Sequence, residues 1–330
     1  MVIGLMKARR LVPILMIFAV VSVLIAVSAG SASLSFGAML NALHNGGDPI
    51  VREILVNLRL PRAINAFSTG GLLALAGVLM QALLRNPLAD PFVLGISGGA
   101  AVAALGAMLL GLGGFLIDGA AAIGALCATL LVFLLAHARG GWTPHRLLLN
   151  GVAVASGCTA VVGLMLSLGD ETRLRGMIFW LMGDLSFAHF SPAALVLLLI
   201  AGVSATAGAR TLNVLARGEI ESQLLGVALM PARIALFVAT AALTATAVTT
   251  AGGIGFIGLV TPHLVRLMAG SNHRLVVPAS VLLGGSLLTL ADTLARTAVA
   301  PRQLPVGALT ALIGVPLFLI LMRRGRRITS

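Results

Sequence analysis

The sequence predicts an all-α, polytopic membrane protein of about ten transmembrane helices, forming one domain over residues 1-330. Three observations carry this. Of its residues 59% are hydrophobic and 10% charged, against about 25% charged in soluble domains. Apolar runs of membrane-spanning length recur along the whole chain, and no polar block is long enough for a second domain. The charged residues are confined largely to the breaks between runs, with prolines and glycines marking the boundaries.

The runs follow in order. Lys7, Arg9 and Arg10 precede Leu11 to Ala29, which ends in Ala29-Gly30-Ser31-Ala32. A signal peptide has this pattern, but a run of about 19 residues is long enough to span, so an uncleaved first helix with its N-terminus inside is expected. Further runs lie near 63–84, 92–112, 117–136, 147–168, 192–209, 234–250, 255–268, 276–299 and 305–322. The segment 255–268 reaches only about 21 Å at 1.5 Å per residue. It is short for a bilayer core, and Gly252, Gly253, Gly255 and Gly258 surround its start. Such glycine-interrupted segments are tolerated where protein or a cavity covers them. Gly95 and Gly99 stand at GxxxG spacing, which close helix packing explains.

Ten spans put both termini in the cytoplasm, and arginine placement tests that. The inside would hold Lys7, Arg9, Arg10, Arg85, Arg139, Arg146, Arg210, Arg217, Arg233, Arg266, Arg274, Arg323, Arg324, Arg326 and Arg327; the outside would keep Arg52, Arg59, Arg62, Arg173, Arg175, Arg296 and Arg302. The net charge of +12 therefore reflects loop retention, and no nucleic-acid partner is implied.

Two segments fit no span. Residues 169–191, outside, carry Asp170, Glu171, Arg173, Arg175, Trp180 and Asp184 and read as a short amphipathic helix. Residues 210–233, inside, form the longest and most charged cytoplasmic loop. There Gly218 can stop one helix, Glu219 to Leu225 can form another, and Gly226 can cap it.

Several functions are excluded. The single lysine, Lys7, has no GxxxxGK[ST] around it, so no P-loop is present. No HExxH motif or nucleophile elbow occurs. Cys127 and Cys158 lie in apolar runs without metal-ligand spacing. His263 likewise has no second ligand at useful spacing, and reads as structural.

One stretch organises the rest. Leu58 to Ala100 places an apolar run between Arg59-Leu60-Pro61-Arg62 and Arg85-Asn86-Pro87-Leu88-Ala89-Asp90-Pro91. Inside the run, Asn65 and Gln81 need partners that lipid does not offer. The stretch RLPR, then GLLALAGVLMQ, then RNPLADPFVLGISGGA resembles the FecCD/BtuC-type permease family of type II ABC importers, which take up iron-siderophores, haem or cobalamin. The strings GFIGLVTPHLVR at 255–266 and LPVG at 304–307, with Gly314 and Pro316, match the same family.

The resemblance implies a type II ABC importer permease fold in a bacterial cytoplasmic (inner) membrane, and a non-enzymatic subunit that binds no cofactor. It further implies a second permease copy, two ATP-binding cassette subunits holding ATP and Mg, a periplasmic substrate-binding protein and a metal-chelate substrate. The loop at 210–233 is similar to the family's coupling loop, which would place Arg217, Gly218, Glu219, Glu221, Leu225 and Gly226 against the ATPase. Arg59 and Arg296 match arginines that dock the binding protein. Arg296 also stands four residues after Asp292, so an intrahelical pair competes with that reading. The cytoplasmic gate would fall at Asn86 and Leu88 and, on the fifth helix, at Pro144 and His145, where relatives carry small hydroxyl residues. Asn150, Ser156 and Thr159 would line the pathway. The competing function is an ion-coupled secondary transporter, which needs ionisable residues inside the membrane; Asp292 is the candidate.

Overall fold

All ten apolar runs fold as helices, because a backbone in lipid must satisfy its polar groups internally. The computed structural model describes residues 2–30, 37, 41, 48–137, 143–186 and 190–325, with the side chains of 2–9 and 322–325 excepted. Arg139, Arg326 and Arg327, and the side chains of Lys7, Arg9, Arg323 and Arg324, which enter the charge bias above, lie outside the described residues.

In chain order the helices are α1 (Val2–Ser28), α2 (Pro49–Glu53), a π-helical stretch (Ile54–Arg59), α3 (Leu60–Leu84), a 3-10 turn (Pro91–Leu94), α4 (Ile96–Leu109), α5 (Gly114–His137) and α6 (Pro144–Leu168). There follow α7 (Glu171–Leu181), α8 (Pro192–Ala207), α9 (Ala209–Leu215), α10 (Glu219–Leu224), α11 (Leu229–Ala251), α12 (Ile257–Ala269), α13 (His273–Thr297) and α14 (Val306–Gly325).

Ten full spans overstate what the helices provide. Among the described residues six are long and apolar enough to cross a membrane, or seven if α8 and α9, bent by 64°, count as one. In three of the runs, 92–112, 192–209 and 255–268, the apolar stretch is longer than the helix it forms. In the run 92–112 the 3-10 turn and Gly95, in the left-handed region at φ 73°, use up the start, so α4 has 14 residues. The 252–256 break leaves 13 residues to α12. Apolar length and helical length part company wherever a turn is itself apolar.

α3 is the central post. Its span is 89% buried, and α13, α11, α12 and α8 pack around it. The close approaches use glycine. A Cβ on Gly70 would lie 2.3 Å from the Gly284 carbonyl of α13, and one on Gly77 would lie 1.9 Å from the Gly258 carbonyl of α12. A second layer pairs α4 with α5, where Gly99 faces Gly124. Gly95 does not share that contact; it sits against Val154 and Ala155 of α6. The GxxxG pair thus divides between two jobs.

The polar groups of α3 are answered by protein. Asn65 Oδ1 accepts the Ser191 N–H at 3.1 Å. Gln81 donates to the Ala89 carbonyl at 3.3 Å and accepts from the Arg266 guanidinium. Both side chains are buried, and both join α3 to its neighbours.

Candidate functional site

Three groups of residues stand out: one at each end of the bundle and one beside a cavity.

At the end where α1 terminates, its last carbonyls have no helical partner. Two arginines supply the missing donors. Arg59 Nη1 donates to the Val27 and Ser28 carbonyls at 3.1 and 2.9 Å. Arg296 Nη1 donates to the Ala29 carbonyl at 2.8 Å, and its Nη2 to that of Ala26. Two cations thus cover four consecutive carbonyls at the negative end of a helix dipole. Arg59 is 6% exposed, so it is engaged with protein. Gly30 lies against its guanidinium, 2.4 Å from the site of a Cβ.

Asp292, 2% exposed, anchors the same end. The intrahelical partner expected from spacing is the looser one: Arg296 Nε is 3.8 Å from Asp292 Oδ2. Arg62 instead grips the carboxylate with two prongs, Nη2 to Oδ1 at 2.8 Å and Nε to Oδ2 at 2.9 Å. Bidentate pairing of this kind is the strong form of an arginine–carboxylate contact. Arg62 Nη1 also donates to Gln303 Oε1 at 3.3 Å.

At the opposite end, the segment 210–233 forms α9 and α10. Gly218 between them has φ 134°, and Gly226 after α10 has φ 77°. The N–H of Val227 reaches the Ser222 carbonyl at 2.9 Å and that of Gly226 the Gln223 carbonyl at 2.9 Å, the pattern of a glycine-capped helix end. The outer face of α10 is apolar and exposed: Ile220 is 76%, Leu224 81% and Leu225 60% accessible. Arg217 and Glu221 are exposed beside them. Glu219 is the exception. Its Oε1 accepts from Arg85 Nη2 at 2.6 Å and Arg233 Nη2 at 2.5 Å.

Arg85 opens the turn 86–90. Asn86 Oδ1 accepts the Leu88 N–H at 2.9 Å, and both residues are exposed. Pro144 and His145 begin α6 after Thr143, whose hydroxyl accepts the Arg146 N–H at 3.3 Å. Pro144 is half-buried and His145 exposed.

Between the two ends, a cavity of about 450 Å³ is lined by Asp90, Phe92, Ser156, Thr159 and Phe256 among others. Ser156 and Thr159 therefore share one space, and the Thr159 hydroxyl already donates to its own helix at Ala155. Asn150 is half-buried one to two turns earlier and is not in that lining. Spacing alone did not reveal Asp90 or Phe256 as wall residues. Among the described residues no group of three or more His, Cys, Asp or Glu side chains is placed to hold a metal ion.

Residues 17–324 match the FecCD transport family. The chain belongs to that family. Among FecCD-type relatives, it is 40% identical to the hemin transport system permease protein HmuU of Yersinia pestis, covering 98% of each chain. It is 40% identical to the vitamin B12 import system permease protein BtuC of Citrobacter koseri, covering 82% of this chain and 83% of that one. A solved structure described as an inward-facing conformation of a putative metal-chelate type ABC transporter superposes with a TM-score of 0.85 at 30% identity, over 96% of this chain and 99% of the other. As a FecCD permease the chain is the transmembrane subunit of an ABC importer, a multi-pass, non-catalytic transport component.

Proposed function

We propose that this FecCD permease carries a metal chelate, haem or a ferric siderophore, or alternatively cobalamin, across the bacterial inner membrane. The substrate classes rest on the names of its relatives, two of which are a hemin and a vitamin B12 permease. Two copies would form the pathway, two ATP-binding cassette subunits would drive it, and a periplasmic binding protein would deliver the substrate. The full reading has ten membrane crossings with both termini cytoplasmic, the short α4 and α12 crossing inside the protein rather than against lipid.

The observation that carries this reading is the state of α6. It is apolar and 25 residues long, yet only 6% of its span is buried within the single chain. Its Ser156 and Thr159 border the open cavity. A second copy packed on this side would cover the helix and close the cavity into a conduit. The exposed apolar tip of α10, with Arg217, Gly218, Glu221, Leu225 and Gly226 around it, supplies a surface for the ATPase, with Glu219 at its base. Asn86 and Leu88 at the turn after α3, with Pro144 and His145 at the start of α6, would form the inner gate. Asn150 would line the same pathway below Ser156.

Arg59 and Arg296 would meet carboxylates of the binding protein. In the present conformation both hold the end of α1, so docking on them exchanges α1 carbonyls for carboxylates, a stronger acceptor. Ion-coupled transport finds less support. Its candidate group, Asp292, is held by Arg62 through both carboxylate oxygens and is tied to the packing of the bundle.

The test is uptake into proteoliposomes containing two copies of this chain, the cognate ATPase and the binding protein. Labelled haem, ferric siderophore and cobalamin are offered separately. ATP-dependent accumulation of one of them is expected. Uptake that proceeds without ATP and collapses with the proton gradient would overturn the reading.

A further inference from the structure

Glu219 is set apart from the rest of α10. Its neighbours Ile220, Glu221, Leu224 and Leu225 face outward and are open to a partner, while one Glu219 oxygen holds both Arg85 and Arg233. Arg85 stands just past the end of α3, and Arg233 in the first turns of α11. A carboxylate that holds Arg85 and Arg233, on two different elements of the same chain, is a link within the chain.

We propose that Glu219 and Arg85 form a strut that carries displacement of α10 into the turn 86–90, so that Arg85 is a positioning residue of the inner gate. The proposal rests on the reading of α10 as the element that meets the ATPase. Three features support it. Arg85 adopts φ 50°, a left-handed conformation that glycine or asparagine takes more readily. An arginine kept in an unfavourable backbone position points to use of its side chain.

The turn that follows is built as a unit. The Asn86 N–H donates to the Gln81 carbonyl at 3.1 Å and the Ala89 N–H to the Asn86 carbonyl at 3.0 Å, Gln81 holds the Ala89 carbonyl, and Asp90 Oδ1 accepts the Phe92 N–H at 2.8 Å. A segment so cross-linked moves as a piece. It also abuts the pathway helix, since a Cβ on Gly151 of α6 would lie 2.4 Å from the Val93 carbonyl. On the other side, the buried Ser222 hydroxyl shares its proton between the Gly218 carbonyl at 2.5 Å and the Val214 carbonyl of α9 at 3.1 Å, which ties α10 to α9. The two pieces are joined by the Arg85–Glu219 ion pair, so a displacement of one is passed to the other through that contact.

The experiment uses the whole complex in proteoliposomes, with spin labels on Leu88→Cys of both copies in a background of Cys127→Ala and Cys158→Ala. Arg85→Asn keeps a residue at ease in the left-handed region but too short to reach Glu219; Arg85→Lys keeps the charge. In Arg85→Asn the ATPase is expected to co-purify and hydrolyse ATP normally, while the ATP-induced change in label separation disappears. Uptake of labelled haem or cobalamin per ATP is expected to fall about 2- to 30-fold, with Arg85→Lys recovering most of it. An unchanged label response in Arg85→Asn overturns the strut. Loss of the ATPase from Arg85→Asn also overturns it, since Arg85 would then belong to the docking surface. Failure of the unaltered chain to hold the ATPase overturns instead the reading of α10 on which the strut rests.

Discussion

Asp292 Oδ1 lies 2.8 Å from Arg62 Nη2, while Arg296, four residues along the same helix, comes no nearer than 3.8 Å to Asp292 at its Nε. The partner 230 residues away in sequence is the one that matters. The pair joins α3 to α13 at a point where Asp292 is buried, and removing one member leaves the other charge without its main partner. We therefore expect Arg62→Ala to destabilise the solubilised protein by about 3 kcal/mol. Asp292→Asn removes the charge but keeps an acceptor, so its cost is smaller. Thermal unfolding in detergent gives the order; an Arg296→Ala variant more costly than Arg62→Ala would show that the intrahelical contact dominates.

A second expectation concerns the α1 terminus. Arg59 and Arg296 have two jobs that separate experimentally: holding the carbonyls of residues 26–29 and meeting the binding protein. Long-range attraction acts on association rates and is screened by salt. Arg296→Glu is expected to slow association of the binding protein and flatten its salt dependence. If the arginines serve only α1, the unfolding temperature falls and the association rate stays as it was.

The sequence made some of this legible and hid the rest for identifiable reasons. Apolar runs, prolines and glycines are local signals, so the all-helical fold, the position of α7 and the glycine cap at Gly226 were readable. Helix length was not, because an apolar turn such as 91–94 has the same composition as an apolar helix. Asn65 and Gln81 announced that they needed partners, but not that Ser191 and Arg266 would be those partners. Spacing suggested the Asp292–Arg296 pair because i,i+4 neighbours are visible along one helix. Arg62, Arg85 and Arg233 were visible as topology signals, and the first two as motif residues, but not as ion-pair members, since their carboxylate partners Asp292 and Glu219 lie on other elements. The Arg85–Glu219 contact spans 134 positions, and no local pattern encodes it.

Glycine substitutions separate packing from composition. A Cβ on Gly77 would sit 1.9 Å from the backbone carbonyl of Gly258, while one on Gly176 of α7 meets nothing within 4 Å. In α3 the neighbour is backbone and cannot rotate away, so Gly77→Ala forces α3 and α12 apart and is expected to cost about 3 kcal/mol, or to prevent accumulation in the membrane. Gly176→Ala gains helix propensity and is expected to be neutral or stabilising by up to about 1 kcal/mol. Equal behaviour of the two variants in expression and thermal unfolding would mean that α3 and α12 are not in contact as described.

The turn after α3 gives the last expectation. Asn86 holds the Leu88 N–H at 2.9 Å, a side-chain bond that fixes a turn locally. Its carbonyl also takes the Ala89 N–H, a bond that any residue could make. Asn86→Ala thus removes one bond of two, at a cost of about 1 kcal/mol, too little to unfold the bundle but enough to loosen Leu88. Asn86→Asp keeps the acceptor. If Leu88 closes the inner mouth, Asn86→Ala raises passive, ATP-independent leak of preloaded substrate from proteoliposomes, and Asn86→Asp leaves the leak at its original level. A gate made elsewhere predicts no change in leak from either variant. Because the expected stability difference between the variants is small, leak is the quantity that identifies the gate.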